Sequence, residues 1–404
     1  MPVVALPRRR IQSVWLLFFV ALVCRLTASI HFLRIGGIAY QWTNEIAAIA
    51  RSLVLHHAFA GAYAGYAGPT AWAAPGYPFV VAAVFKVFGI DSQASAFVLL
   101  LLNGVFSSLT AIVIYKLGRE YLTETVGWVA AWLWALSPLT VMMTLLLWDT
   151  SLSALMLSLC LLVSLRATSI RQWTAAGALW GLSALVSPAL LAPLPAVVIF
   201  RLWKSEMRLK YALAFCLTMA CVLLPWSIRN RVVMHANFPV RSNGWAEIYF
   251  GNVTFDMHPC ARSNGLYQQI GETRFVQQIR GEVIRYIETH PAELVWRSAQ
   301  RWLQFWLMPM AYLPVTILIA VCCWAGAILL VRNGRWAAIP LLAVMLFYPL
   351  IYSVTHIETR YRHPMEPVQC LLVAYCLCEL ARRATEWLRS RQTRPQAAET
   401  YSAR

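Results

Sequence analysis

Apolar runs close to the length of a bilayer span return along almost the whole chain, at about 12–33, 95–115, 126–143, 146–165, 211–226, 312–331, 336–355 and 365–381. A helix needs about 20 apolar residues to cross the hydrocarbon core of a membrane. Inside lipid every backbone N–H and C=O must find a partner within the protein, which leaves only helices and closed barrels. A barrel would show short segments alternating apolar and polar residues; these runs are continuous. The run 174–200 is broken by Pro188, Pro193 and Pro195 and reads as two short, kinked spans. The fold class that follows is all-α, a polytopic transmembrane helical bundle of about ten spans. Only 13% of the residues are charged, where a soluble domain carries about 25%.

Arg8, Arg9 and Arg10 precede the first run. That stretch resembles a signal peptide but lacks a small-residue cleavage site, so it reads as an uncleaved first span. The positive-inside rule then puts the N-terminus in the cytoplasm. Lys116/Arg119, Arg166/Arg171, Arg201/Lys204/Arg208/Lys210, Arg332/Arg335 and the Arg-rich tail all fall on the same side. Both termini are therefore expected to be cytoplasmic, in a multi-pass protein of the inner (plasma) membrane. The polar segments 34–93 and 227–310 and the turn at 356–364 then share the outer face. The chain divides into an N-terminal transmembrane module (1–226), an outer-face soluble segment (227–310), a C-terminal transmembrane module (311–383) and a basic tail (384–404) expected to be disordered. Within the first outer segment, YPFVVAAVFKVFG (77–89) is too short to span and reads as an interfacial helix. Ile46, Ile49 and Leu53 recur at helical spacing, which predicts a second amphipathic helix there. In the soluble segment a helix is expected to start at Pro291, a residue suited to a first helical turn.

The net charge of +17 would suit a nucleic-acid partner. Its arginines instead flank apolar runs, so the excess reads as topology and as contact with anionic head groups, with no nucleic acid implied. Nine cysteines (24, 160, 216, 221, 322, 323, 370, 376, 378) lie in or beside apolar runs and read as small core residues. Cys260 alone sits in the long polar segment, so no disulfide framework exists there. No Cys/His spacing suggests zinc. The adjacent His56 and His57 read as a solvated loop. The sequence names no cofactor and does not indicate a divalent metal.

Chemistry concentrates in a few polar residues near span ends. ETRYRHPMEP (358–367) sets Arg360 and Arg362 beside a turn, on the face where the positive-inside rule expects few arginines. Guanidinium forks match phosphate oxygens in bidentate geometry; the alternative is charge snorkelling to lipid head groups. Arg25 lies inside the first span, where an ionisable residue is costly and marks a functional site by default. Lys86 and Arg229 add charge at the same level. An anion at membrane depth, a lipid phosphate, would account for the cluster. Acids are scarce. Glu45 falls in the first turn of the amphipathic helix, where a carboxylate also suits the helix dipole. Asp149 sits at the mouth of a span, where it also fits as an N-cap. Glu358 reads as a partner for one of the arginines. Tyr361, His356, Arg241 and Asn252 complete the set of candidates.

GPTAWAAPGYPFVVAAVFKVFG (68–89), PWSIRNRVV (225–233), PVRSNGWAEIYFGN (239–252) and ETRYRHPMEP (358–367) resemble, in order, landmarks of the bacterial membrane glycosyltransferases of the GT-C superfamily. The nearest branch is family 39-like (dolichyl-phosphate-mannose-protein mannosyltransferase-like), which also resembles the lipid A aminoarabinose transferases. The resemblance implies a polyprenyl-phosphate sugar donor and a catalytic carboxylate in the first outer loop, often an Asp-Glu pair. The matching place here reads Thr43-Asn44-Glu45, which leaves Glu45 as the carboxylate, with Asp149 as the second candidate. It also implies donor-phosphate binding by Arg360 and Arg362, with Lys86 in the place of an interfacial lysine. The expected activity is inverting transfer of a sugar to a glycan, lipid or protein acceptor at the outer face of the membrane. The rival class is a transporter or lipid flippase, with Arg25 and Asp149 lining a path. Such a protein is expected to show internal repeats and paired broken helices, and no repeat is visible.

Overall fold

The computed structural model describes residues 8–203, 205–254, 265–336 and 338–392. Helices account for the architecture, and no strand occurs among the described residues beyond an isolated bridge between Ala60 and Pro69. The long α1 (Arg8–Arg34) is followed by two helices of the first polar segment, α2 (Glu45–His56) and α3 (Gly76–Phe88). Then come α4 (Gln93–Tyr121), α5 (Glu124–Leu136), the short α6 (Pro138–Met143), α7 (Thr150–Arg166), α8 (Ile170–Val186), α9 (Leu194–Leu202) and α10 (Arg208–Met234). The second polar segment supplies α11 (Gly244–Tyr249), α12 (Leu266–Ile270), α13 (Glu272–Thr289) and α14 (Pro291–Leu307). The chain closes with α15 (Leu313–Arg332), α16 (Ala338–Val354), the single turn α17 (Thr359–Arg362) and α18 (Glu366–Gln392).

Five described helical segments are long and apolar enough to cross a membrane: Val14–Arg34, Gln93–Tyr121, Arg208–Met234, Met310–Arg332 and Thr359–Ser390. Shorter apolar helices, Gly76–Phe88, Thr150–Arg166, Pro188–Leu202 and Ala338–Val354, stand beside them. Local chemistry sets the boundaries. Ser92 and Thr123 accept from the backbone N–H of Ser95 and Val126 and so cap α4 and α5. Ser169 and Gln172 form a reciprocal capping box on α8. The expected single span over 126–143 is instead two helices, because Pro138 cannot donate into the α5 ladder. The span expected to end at 226 runs on to Met234 through Pro225. The tail expected to be disordered over 384–404 is helical as far as Gln392; its remainder, and Cys260, lie outside the described residues.

Close approach of helices uses glycine, as is common where lipid supplies no hydrophobic drive. A Cβ on Gly118 would strike the backbone of Gly127 across the α4–α5 contact. One on Gly326 would strike the carbonyl of Leu372 between α15 and α18. Two apolar cores result. The larger joins α4, α5, α7, α8, α15, α16 and α18 around Trp134, Trp173, Trp180 and Tyr348. The second lies at one end of the bundle, where Ile46, Ile49, Trp72 and Phe85 of the first polar segment pack with Phe250, Tyr267 and Phe275 of the second. The two polar segments thus fold on each other.

Arg25 belongs to the larger core. It is fully buried and spends its guanidinium on Ser107 Oγ (2.8 Å) and on the carbonyls of Ala21 (3.0 Å), Ala135 (2.9 Å) and Trp134 (3.2 Å). Trp134 and Ala135 are in the last turn of α5, whose carbonyls lose their forward partners when Pro138 interrupts the helix. Arg25 caps them. The reading of Arg25 as a donor-phosphate ligand is therefore corrected: its donors are used and it does not reach the cavity described below. Arg25→Met should lower stability by about 1–3 kcal/mol for each carbonyl left unpaired. A drop in the thermal midpoint of the detergent-purified protein, with ligand affinity per folded molecule retained, is the expected result.

Candidate active site

The end of the bundle that carries the second core also carries a cavity of about 480 Å³. Its lining includes the polar side chains of Glu45, Asp149, Arg241, Glu247, Arg360 and Tyr361. It also includes Leu191, Leu223, Val240 and Ile351 and the rings of Tyr348 and Tyr352. The first polar segment, the second polar segment and the 358–367 turn each contribute to it, although Glu45 and Arg360 are far apart in sequence.

Each side chain is held for an identifiable reason. Asn44 caps α2 by accepting from Ala47 N–H (2.9 Å), and its amide donates to the carbonyl of Leu147 (3.3 Å). Leu147 N–H in turn donates to Gln41 (3.2 Å). These bonds bring the start of α2, and so Glu45, beside Trp148 and Asp149. Asn103 braces the same loop from beneath, donating to Leu146 O (2.8 Å) while accepting from the Tyr77 hydroxyl (3.0 Å). Asp149 occupies the N-cap position of α7 but makes no capping bond; its carboxylate accepts from Ser153 Oγ (3.1 Å) instead. Arg241 donates from Nε to Trp72 O (3.0 Å), which leaves its outer nitrogens toward the cavity, one of them 4.0 Å from Glu247. The 242 region is pinned by Glu272, a fully buried carboxylate. Thr70 Oγ1, Ala71 N–H (2.7 Å), Ser242 Oγ (2.7 Å) and Tyr267 OH (2.8 Å) all donate to it. Burial raises the Glu272 carboxyl, and these donors pull back against it.

Arg360 lies over the Trp148 ring, 3.5 Å from its centroid, and its Nε is 2.6 Å from Glu358. A cation on a tryptophan face is well placed for a desolvated charge. Beside it Tyr361 stacks on Tyr352 at 4.5 Å, and the Tyr352 hydroxyl is 3.2 Å from that of Tyr348. Arg362 points the other way. Two residues along a helical turn are about 200° apart, so the side chains at 360 and 362 leave on opposite sides. Arg362 is buried against Glu366 (3.2 Å) and the Trp306 carbonyl (3.4 Å), and His363 meets the same Glu366 at 2.8 Å. The expectation that Arg360 and Arg362 grip one phosphate is corrected on this geometry: the second cavity arginine is Arg241.

The other sequence candidates fall outside the cavity. Lys86 is exposed on α3 and does not line it. Arg229 donates to Thr70 O (2.7 Å) and Phe59 O (2.7 Å) and stacks over Trp226 (5.0 Å), a structural brace. Asn252 is buried, donating to Ile248 O (2.9 Å) and Val354 O (2.8 Å) and accepting from Arg301 (2.9 Å). His356 is buried directly behind the polar wall, 3.2 Å from Glu247 and 3.0 Å from the Tyr361 hydroxyl. Glu247, Trp148, Ser153, Tyr348, Tyr352 and the clamp residue Glu272 were not legible as site residues. For Trp148 its place beside Asp149 was a usable signal; Glu247 and Glu272 are joined to the site only through long-range contacts.

The cavity's charge is mixed. Burial raises the Glu45 carboxyl above the usual carboxylate range, and Arg360 and Arg241 oppose that shift. Burial also pushes the Glu358 carboxyl up, but His356 and Arg360 outweigh it and bring it down to about 2. The cavity therefore holds cations and, within their field, a carboxylate of raised proton affinity. Among the described residues no three His, Cys, Asp or Glu side chains cluster in the manner of metal ligands.

This helical bundle, whose polar segments close over a charged cavity at one end, shares its fold with solved oligosaccharyltransferases. The family model described as dolichyl-phosphate-mannose-protein mannosyltransferase matches residues 72–228, a stretch that includes Asp149 but not Glu45, Arg241 or Arg360. Among solved structures, the archaeal oligosaccharyltransferase AglB from Archaeoglobus fulgidus, in complex with an inhibitory peptide and a dolichol-phosphate, is similar with a TM-score of 0.53 at 13% identity. That match covers 88% of this chain and 48% of the other. The same oligosaccharyltransferase in its apo form gives a TM-score of 0.51 at 14% identity, over 91% of this chain and 52% of that one. ArnT from Cupriavidus metallidurans in the apo state gives 0.46 at 14% identity, over 89% and 62%, too loose a likeness to carry an argument. This chain spans about half the length of the oligosaccharyltransferase it matches. No curated protein matches the sequence significantly.

Proposed function

We propose that the protein is an inverting membrane glycosyltransferase. It moves a sugar from a polyprenyl-phosphate donor to an acceptor at the outer face of the inner membrane, with both termini cytoplasmic. One observation carries the reading: Glu45, Asp149, Arg241 and Arg360 line a single cavity together with the apolar Leu191, Leu223, Val240 and Ile351, at the end of a membrane bundle. A lipid phosphate needs that pairing of cation and apolar surface. The dolichol-phosphate held by an oligosaccharyltransferase of the same fold supports the donor class.

The chemistry follows from the charges. The acceptor hydroxyl gives its proton to Glu45 and its oxygen attacks the anomeric carbon. The bond from that carbon to the phosphate oxygen breaks, and its electron pair leaves on the lipid phosphate. Direct displacement inverts the anomeric centre. Arg360 and Arg241 take up the charge of the departing phosphate, which a preorganised, partly desolvated pair does without reorganisation. With the leaving group so stabilised, one base suffices.

The purified protein, reconstituted with a polyprenyl-phosphate sugar, should release polyprenyl phosphate and transfer or shed the sugar. Arg241→Ala and Arg360→Ala should each weaken donor binding by about 1–3 kcal/mol, the worth of a charge-assisted hydrogen bond, or about 5- to 150-fold. Neither release nor binding of a polyprenyl phosphate by the intact protein would overturn the reading and favour a transporter or flippase.

A further inference from the structure

The two cavity arginines come from distant parts of the chain, yet a line of closely spaced polar groups runs between them. Arg360 Nε is 2.6 Å from Glu358, in the loop before α17. Arg241 is 4.0 Å from Glu247, on α11, and Glu247 is further held by the side-chain amide of Asn243. Between the two carboxylates stands His356. Its Nδ1 is 3.2 Å from Glu247 Oε2, and its Nε2 is 3.5 Å from Glu358 Oε1 and 3.0 Å from the Tyr361 hydroxyl. The ring is 8% exposed, so water does little of this bridging. The order Arg241–Glu247–His356–Glu358–Arg360 thus runs behind the polar wall from one guanidinium to the other.

We propose that His356 is a positioning residue that couples Arg241 and Arg360 into one phosphate clamp. The inference rests on the reading that the cavity binds a lipid phosphate. Imidazole suits the task because its two nitrogens face different directions on a rigid ring: Nε2 bonds the Tyr361 hydroxyl, and Nδ1, unbonded here, lies within reach of Glu247. A phosphate drawn to Arg360 competes with Glu358 for the guanidinium. Release of Glu358 from Arg360 lets the His356 ring turn so that Nδ1 makes to Glu247 the hydrogen bond it lacks here, and Glu247 then shares less with Arg241, freeing it in turn. Closing one jaw of the clamp therefore favours closing the other. His356 does not touch the phosphate or the sugar in this arrangement; it acts through the carboxylates and through Tyr361.

The test is a double-mutant cycle on binding of a sugar-free polyprenyl phosphate to the full-length protein in nanodiscs. Arg241→Gln, Arg360→Gln and the double variant are measured with His356 present and again in a His356→Phe background. With His356 present, the combined loss should fall short of the product of the single losses by roughly 2- to 100-fold, the range of coupling between residues of one network. In the His356→Phe background the losses should multiply to within about twofold, the behaviour of independent sites. His356→Asn, which keeps two polar ends, should restore part of the coupling. Equal non-additivity in both backgrounds overturns the proposal while leaving the phosphate site intact. So does a His356→Phe protein that only melts earlier, with coupling unchanged. If neither single arginine variant weakens binding, the phosphate reading itself fails and the clamp with it.

Discussion

Glu45→Gln should cut turnover by roughly 10²–10⁴-fold, the usual worth of a positioned general base, while donor affinity stays close to that of the parent. The argument starts at the cap. Asn44, not Glu45, satisfies the first turn of α2, so the helix does not depend on the Glu45 carboxylate for its start. Glu45 instead lines the same cavity as the arginines, where burial raises its proton affinity. A base must be ionised to work. Activity is therefore full above the Glu45 pKa and lost as pH falls through it. Because that pKa is raised, the acid limb of the rate profile should lie above the ordinary glutamate value of about 4.3. Glu45→Gln should remove that limb along with most of the rate. Thermal stability should hardly move, since Gln keeps the shape. If turnover survives in Glu45→Gln and collapses in Asp149→Asn, the base is Asp149, which faces the same cavity and is tethered by Ser153.

Much of this architecture is legible in the sequence because its determinants are local. Run length and composition give helices long and apolar enough to cross a membrane, and the short apolar stretch at 77–89 gives the shorter helix Gly76–Phe88. Pro138 and the prolines after Val186 mark real breaks. The site is legible only where chemistry and local pattern coincide, as at Glu45, Asp149 and Arg360. Arg25 shows how the argument fails. A charge in a span signals function when nothing else is known of its neighbours. Its partners include the Trp134 and Ala135 carbonyls at the α5 end that Pro138 creates, more than a hundred residues away, and no local pattern announces that contact. Arg241 and Glu247 reach the cavity only because Glu272 fastens the 242 region to Thr70 and Ala71, a tertiary fact. The Arg360/Arg362 pair fails for a smaller reason: a two-residue spacing puts both on one face of a strand but on opposite sides of a helical turn, and residues 359–362 are helical.

That last distinction has a large and separable consequence. Arg362→Ala should destabilise the protein by about 3–5 kcal/mol, the cost of removing one partner from a buried ion pair. Arg362 is 2% exposed and Glu366 is 8% exposed, so the orphaned carboxylate would keep His363 at 2.8 Å but lose the guanidinium at 3.2 Å. The damage is local to the junction of α17 and α18 and to the Trp306 carbonyl that Arg362 also reaches. Arg360→Ala should behave in the opposite way. It loses a cation from the cavity wall, so donor affinity falls, while the part-exposed Glu358 stays against His356 and the fold loses less. Measuring the thermal midpoint in detergent alongside polyprenyl phosphate affinity per folded molecule separates the two. Arg362→Ala should shift the midpoint and spare affinity; Arg360→Ala should do the reverse. An Arg362→Ala protein as stable as its parent but unable to hold the lipid phosphate would return Arg362 to the site. The helical turn would then have to open when the donor arrives, because both guanidiniums cannot face one phosphate from the geometry they hold here.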